Sequence, residues 1–379
     1  YHNYIYYFVF LMDDFSKYSR IVIKIGSSIL IDPKDYTFRT MWLESLARDI
    51  SQLVKSGHEI IIVASGAIAS GCLKLGEDKG SFTLEDYQAL AAYGQSFLSN
   101  NFSNIFADQD LKIAQILLTI DDYETRRRFL NAKFTINRLL NFGIIPIINE
   151  NDTVATDEIR FGDNDNLAAK ISVLSNADLL IILSDVKGLY DKSPKNYPDA
   201  KLIRNIEVID ESVYSLVGEI KLGLGTGGMF SKLKAIEDSG KSGVDAIIAS
   251  GLVLNPLQNL KNGEYSFYKS SENKLSAKRR WLLSLSSKGC IVVDNGAEIA
   301  LEGGNSLLAV GIDRIEGDFT KGDIIKIVSL SGKSLGQGIV NYRNSDLGKI
   351  IGVKNCDQSE ILHCPIMSSV IHVDNLTLV

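Results

Sequence analysis

The first two-thirds of the chain alternates short apolar runs with stretches of helical period, and this alternation limits the fold more than any other feature. Residues 21–25, 59–64, 113–118, 144–148, 179–183 and 246–249 read as strands. Residues 41–54 carry Leu43, Leu46, Ile50, Leu53 and Val54 at helical spacing, and further helices are expected at about 123–141 and 167–176. Apolar strands separated by helices of this length predict an α/β domain: an open, mostly parallel sheet with helices on both faces.

The pattern changes after a polar, charged stretch at residues 261–281, which reads as a linker. Short runs at 290–293, 307–310, 324–328, 338–340 and 370–373 follow, punctuated by glycine and without a long helical period. They predict a small β-barrel-like domain over 282–379, behind a first domain over 20–260 and an N-terminal extension over 1–19.

Three stretches carry candidate chemistry. The run Gly223-Leu-Gly-Thr-Gly-Gly-Met-Phe-Ser-Lys232 places Gly223, Gly225, Gly227 and Gly228 before a lysine that is expected to open a helix over 232–239. Glycines let backbone N–H groups approach a phosphate, and a helix N-terminus and a lysine add positive charge. The spacing is not that of a P-loop, and by itself the run also fits a flexible loop. Lys24 lies inside an otherwise apolar strand that breaks at Gly26-Ser27-Ser28. It is either an edge lysine facing water or a buried ammonium that needs an anion. The third stretch is a pair of clusters, Asn149-Glu-Asn-Asp152 and Gly162-Asp-Asn-Asp-Asn166, just beyond the strand at 144–148. Each alone fits a solvated turn. Together they fit the crevice at the carboxyl ends of an open α/β sheet.

Composition excludes several classes. The chain has 379 residues, 45% hydrophobic and 23% charged, which predicts two domains and an ordinary soluble protein rather than a disordered one. A formal net charge of −6 argues against nucleic-acid binding by bulk electrostatics. Residues 288–379, with 8 Lys and Arg against 11 Asp and Glu, are acidic as well, so a structural or regulatory role is expected there. Cys72, Cys290, Cys356 and Cys364 form no Cys-x-x-Cys pair, and with His363 they complete no zinc spacing; they read as reduced thiols of a cytoplasmic protein. The apolar segment at residues 4–12 is too short to span a bilayer and lacks the flanks of a signal peptide.

The motifs Lys24-Ile-Gly-Ser-Ser, Val63-Ala-Ser-Gly-Ala-Ile-Ala69, Ala91-Ala-Tyr-Gly-Gln95, Arg128-Phe-Leu-Asn-Ala132, Pro146-Ile-Ile-Asn-Glu-Asn-Asp152, Gly162-Asp-Asn-Asp-Asn166, Ser184-Asp-Val-Lys-Gly-Leu-Tyr190 and the run from Gly223 to Lys232 follow one another in the order seen in glutamate 5-kinases. The chain resembles that family over about residues 20–260, and its last third resembles a PUA domain. The resemblance implies the amino-acid kinase fold and a cytoplasmic transferase that phosphorylates the γ-carboxylate of L-glutamate from ATP, with Mg²⁺, in proline biosynthesis. It assigns charge neutralisation to Lys24 and Lys232, with Asp165 orienting both, and backbone N–H groups of Gly26 and Gly66 to the transferring phosphoryl. Ser184, Asp185, Gly225, Thr226, Gly227, Gly228 and Met229, with Lys24, Gly26 and Lys232, would line the nucleotide. Ser65, Gly66, Ala67, Asp152 and Asn164 would hold glutamate, Asp152 at its ammonium and Ser65 and Asn164 at its carboxylates. No residue is marked as a metal ligand. The resemblance further implies a homo-oligomer, feedback inhibition by proline and a glutamyl-phosphate reductase as partner. Other amino-acid kinases, or an inactive kinase-like domain on an RNA-binding protein, are the alternatives. The N-terminus departs from the family, whose members start about a dozen residues before the first lysine; Met12 is the expected start and residues 1–11 the expected read-through.

Overall fold

The computed structural model describes residues 12–32, 37–76, 82–119, 122, 126–154, 164–194, 196–217, 228–270, 287–353, 355–362 and 369–378. The chain divides into two compact units, Tyr1–Asn273 and Lys274–Val379.

The first unit is built on strands β1 (Arg20–Ile25), β2 (Glu59–Ala64), β3 (Lys112–Leu118), β4 (Ile144–Glu150), β5 (Leu179–Ser184), β6 (Asn205–Ile206), β7 (Asp245–Ser250) and β8 (Tyr265–Tyr268). They form one sheet in the order β3-β4-β2-β1-β5-β7-β8-β6. All neighbouring pairs are parallel except β7 with β8. Strand β8 lies inside the stretch read as a linker, and hydrogen-bonds to β7 along Ala246–Ala249.

The two faces of the sheet follow from the two-residue period of a strand. In β1, Ile21, Ile23 and Ile25 point into a core shared with Leu43, Leu46 and Ile50 of the helix Thr40–Lys55 and Phe102 and Phe106 of the helix Leu84–Ala107. Val22 points the other way, into a core shared with Ile171 and Leu174 of the helix Asn164–Leu174 and Leu233 and Ile236 of the helix Met229–Gly240. The same alternation puts Lys24 on this second face, within an apolar wall where it needs a partner. The expected helix near 167–176 thus starts earlier, at Asn164, and the one expected from Lys232 starts at Met229. Lys232 therefore sits at the end of a first helical turn rather than opening the helix.

The long helix Leu84–Ala107 opens on a capping box, with Asp86 N–H donating to Thr83 Oγ1 and Thr83 N–H donating to Asp86 Oδ2. It lies directly on the helix Ala67–Leu75. A Cβ on Gly71 would fall 2.2 Å from the Leu90 carbonyl oxygen, and one on Gly94 would fall 1.9 Å from that of Ala67, so only glycine allows this approach.

The second unit has its own five-stranded sheet of β9 (Gly289–Val293), β10 (Ile312–Gly317), β11 (Ile324–Ser329), β12 (Ser334–Ile339) and β13 (Leu376–Leu378), in the order β10-β9-β11-β12-β13. Its core gathers Ile291, Val293, Phe319, Ile325, Ile327 and Leu347. Two expected strands take other forms: Ala309–Gly311 is a 3-10 turn, and near 370–373 only Ile371 bridges to Leu307 before the strand Leu376–Leu378. Short helices at Asn295–Glu302, Asn344–Ile350 and Asn355–Leu362, too brief to show a period, complete the described part of the unit.

Candidate active site

The parallel strands β1, β2, β4 and β5 all end on the same edge of the sheet, and their last residues run into Gly26, Ser65, Asn151 and Asp185. This is the edge at which open α/β sheets bind ligands. At its centre Asp165, in the first turn of the helix Asn164–Leu174, reaches two lysines from distant parts of the chain. Lys24 Nζ lies 2.6 Å from Asp165 Oδ1, and Lys232 Nζ lies 3.1 Å from Oδ2. Ser231 Oγ donates to the same Oδ2 at 2.9 Å. All three charged groups are buried, Asp165 completely. Burial acts to raise the Asp165 pKa, but the charges of Lys24 and Lys232 and the hydrogen bonds they donate outweigh it and hold the carboxyl below its ordinary value. Among the described residues, two ammonium groups thus meet on this one carboxylate.

The glycines flank this cluster. A Cβ on Gly26 would stand 4.0 Å from Lys24 Nζ, so glycine leaves that side of the ammonium open. The Gly26 N–H, expected to face a phosphoryl group, donates instead to the Leu183 carbonyl of β5 at 3.3 Å. Gly66 takes a left-handed conformation, φ 111°, as it turns β2 into the helix beginning at Ala67. Gly228 caps the helix Met229–Gly240, and Ser231 Oγ donates to its carbonyl at 2.9 Å. Ser184 is buried and donates to the exposed Asp185 at 3.0 Å. Gly223, Gly225, Thr226, Gly227 and Asp163 lie outside the described residues.

Beside the lysines is a set of amides. Asn164 Nδ2 donates to the Ala64 carbonyl at 3.1 Å, Ser65 Oγ at 2.7 Å and Asn149 Oδ1 at 3.0 Å. Asn149 Nδ2 donates in turn to Gln95 Oε1 at 2.8 Å. Asn164 Oδ1 is buried and has no hydrogen-bond partner among the described residues. Asp152, half-buried at the start of a short 3-10 turn, has its carboxyl pushed up to about 6 by burial. Ser65 thus meets Asn164, and Lys24 and Lys232 meet the next residue, Asp165. Gln95, Asn149 and Ser231 were not assigned by sequence reasoning, although all three lie inside quoted motifs.

No three His, Cys, Asp or Glu side chains converge on a metal-sized site among the described residues. The one fully buried carboxylate of the site has both oxygens taken by lysines. The described residues therefore offer no carboxylate cage for a divalent ion. Nor is any helix of the described residues long and apolar enough to cross a membrane.

Comparison with known proteins places this geometry in a family. Residues 19–250 match the amino acid kinase family and residues 289–361 match the PUA domain. The glutamate 5-kinase of Bartonella henselae is 44% identical over 363 residues, covering 95% of this chain and 96% of that protein. That of Pelagibacter ubique is 42% identical, covering 94% and 97%. That of Nitrobacter hamburgensis is 41% identical, covering 96% of each.

Proposed function

The chain belongs to the amino acid kinase family and within it to the glutamate 5-kinases, and from this we propose that it transfers the γ-phosphoryl group of ATP to the γ-carboxylate of L-glutamate, forming L-glutamyl 5-phosphate in the first step of proline biosynthesis. The observation that carries the mechanism is the single buried carboxylate holding two buried lysines at the ligand edge of the sheet.

The attacking group is already an anion, so no general base is needed. The barrier is the approach of one anion to another through a charge-rich transition state. Two lysine ammonium groups held at the ligand edge oppose that barrier. Asp165 fixes both ammonium groups before substrate arrives, so little reorganisation is left for the reaction itself. We assign Lys24 to the acceptor side and Lys232 to the donor side, where its helix begins at Gly228 and Met229. Ser184, Asp185 and the run Gly225-Thr-Gly-Gly-Met229 are assigned to the nucleotide, which enters as its Mg²⁺ complex. Ser65, Gly66, Ala67, Asp152 and Asn164 are assigned to glutamate. The reading also includes a cytoplasmic location, a homo-oligomer, proline competing for the glutamate site, and a reductase that consumes the acyl phosphate before water does.

The test is ADP release with MgATP across candidate acceptors. L-Glutamate should stimulate it, and hydroxylamine should trap the acyl phosphate. N-Acetylglutamate should be poor, since it lacks the ammonium that Asp152 would meet. Equal turnover of N-acetylglutamate, aspartate or carbamate would sink the assignment.

A further inference from the structure

Gln95, on the helix Leu84–Ala107, ends a chain of side-chain amides that leads to the glutamate site. An amide group can be turned either way, but backbone groups fix both asparagines of this chain. The Glu150 N–H can only donate and lies 2.9 Å from Asn149, so Asn149 turns Oδ1 toward it and Nδ2 toward Gln95. The Ala64 carbonyl can only accept and lies 3.1 Å from Asn164, so Asn164 turns Nδ2 toward it. Ala64, Ser65 and Asn149 then share the two hydrogens of Asn164 Nδ2. What remains is Asn164 Oδ1, a buried acceptor without a partner among the described residues. A lone acceptor suits a ligand donor, an ammonium rather than a carboxylate.

The position of Gln95 is itself tightly set. Its neighbour Gly94 stands where a Cβ would fall 1.9 Å from the Ala67 carbonyl oxygen, so the helix bearing Gln95 rests on the backbone that follows Ser65 and Gly66. The two arms that reach Asn164, one through Ser65 and one through Gln95 and Asn149, are thus braced against each other.

We propose that Gln95 is a positioning residue for the substrate's α-ammonium: through Asn149 it holds Asn164 with Oδ1 turned toward the glutamate site. The proposal rests on the glutamate reading above, and it gives Asn164 the ammonium instead of the carboxylate expected from the family resemblance. Among the described residues, Gln95 is the partner that accepts from Asn149 Nδ2. Without that acceptor a buried donor is left unpaired, and Asn149 gains a reason to turn away from Asn164.

Steady-state kinetics of Gln95→Met and Gln95→Glu test this. Methionine keeps the length of the side chain and removes the acceptor, whereas glutamate keeps the acceptor. Gln95→Met should raise the KM for L-glutamate at least fivefold and leave the KM for MgATP within twofold. Gln95→Glu should stay within twofold of wild type for both. Inhibition by glutarate, which lacks the ammonium, should be unchanged in either variant. If Gln95→Met does not fold, Gln95→Ala gives the same readout. A wild-type glutamate KM in the acceptor-less variant, an equal rise for both substrates, or failure of Gln95→Glu to restore binding would overturn the proposal alone. A wild-type protein that does not turn over glutamate would overturn the functional reading, and the proposal with it.

Discussion

The two ends of the large sheet both hold charged side chains, and they treat them differently. At the amino ends of the strands, Arg20 is surrounded: its N–H donates to Asp178 Oδ2 at 2.7 Å, its Nε and Nη2 meet Glu59 Oε2 at 2.8 and 2.7 Å, and its Nη1 bonds Asn137 and the Ser175 carbonyl. Nearby, buried Asp245 accepts from Tyr18 OH at 2.9 Å, Lys269 Nζ at 2.7 Å and the Ser270 N–H at 3.0 Å. Each charge there meets opposite charge or backbone donors from the same chain. At the carboxyl ends, among the described residues, two buried lysines meet on one buried carboxylate and a buried amide oxygen has no hydrogen-bond partner. Buried charge alone therefore does not mark the working site. Two lysines gathered on one carboxylate beside an unanswered acceptor do.

The largest expected effect breaks the comparison if it fails. Lys24→Ala and Lys232→Ala each remove a preorganised cation, which typically costs about 10²–10³ in kcat, or roughly 3–4 kcal/mol. Asp245→Ala should instead lower the melting temperature, because it strands donors from Tyr18 and Ser270 at about 1–3 kcal/mol each, and leave kcat and both KM values unchanged. Asp165→Asn should do both kinds of damage, since it leaves two buried ammonium groups without their anion. The sign for acid follows from the depressed Asp165 pKa: its stabilisation is present above the ordinary carboxylate range and is lost as pH falls through the lower, folded value. A kcat loss in Asp245→Ala as large as that in Lys232→Ala would erase the distinction between the two ends.

The next effect is on binding, and it concerns Asp152. Burial pushes its carboxyl up to about 6, so in the free enzyme it is ionised at pH 7 and mostly protonated at pH 5. Only the ionised form can pair with the substrate ammonium. The value of kcat/KM for glutamate, which reports free-enzyme groups, should therefore fall about tenfold between pH 7 and pH 5. Asp152→Asn should lower kcat/KM at neutral pH and flatten that limb of the profile. A limb that persists in the variant would move the titration to another group.

Much of this was legible in the sequence, for physical reasons that also explain the rest. The central strands are buried on both faces, so they read as unbroken apolar runs, and Lys24 stood out as a charge among them. The helix Leu84–Ala107 escaped because its buried positions include Ala91 and Gly94, whose role is close backbone approach and which give no strong apolar stripe. Strand β8, Tyr-Ser-Phe-Tyr beside lysines and a glutamate, looked like a linker because its place comes from backbone pairing with β7. Spacing also cannot show that Gln95 meets Asn149, 54 residues on, or that Lys232 meets Asp165, 67 residues back. Those meetings are products of the strand order, which brings the ends of β1, β2, β4 and β5 to one edge.

The smallest expected effect sharpens the comparison by asking how far the working end extends along the chain. Every residue assigned to chemistry lies before residue 240, and the second unit, from Lys274, has a separate apolar core around Ile291, Phe319 and Ile327. A chain ending at residue 273 should fold, melt cooperatively and phosphorylate glutamate with a kcat within about threefold of the full protein. The point of truncation matters. Ending at residue 260 would strip β7 of its antiparallel partner β8 and strip Asp245 of Lys269 and Ser270. That shorter chain should be unstable because it cuts into the structural end of the sheet, with no lysine of the site touched. Melting curves and kcat for the two truncations separate the cases. A chain of 273 residues that is folded but inactive would show that the second unit supplies something the chemistry requires, and the division of labour argued from the two ends of the sheet would have to include it.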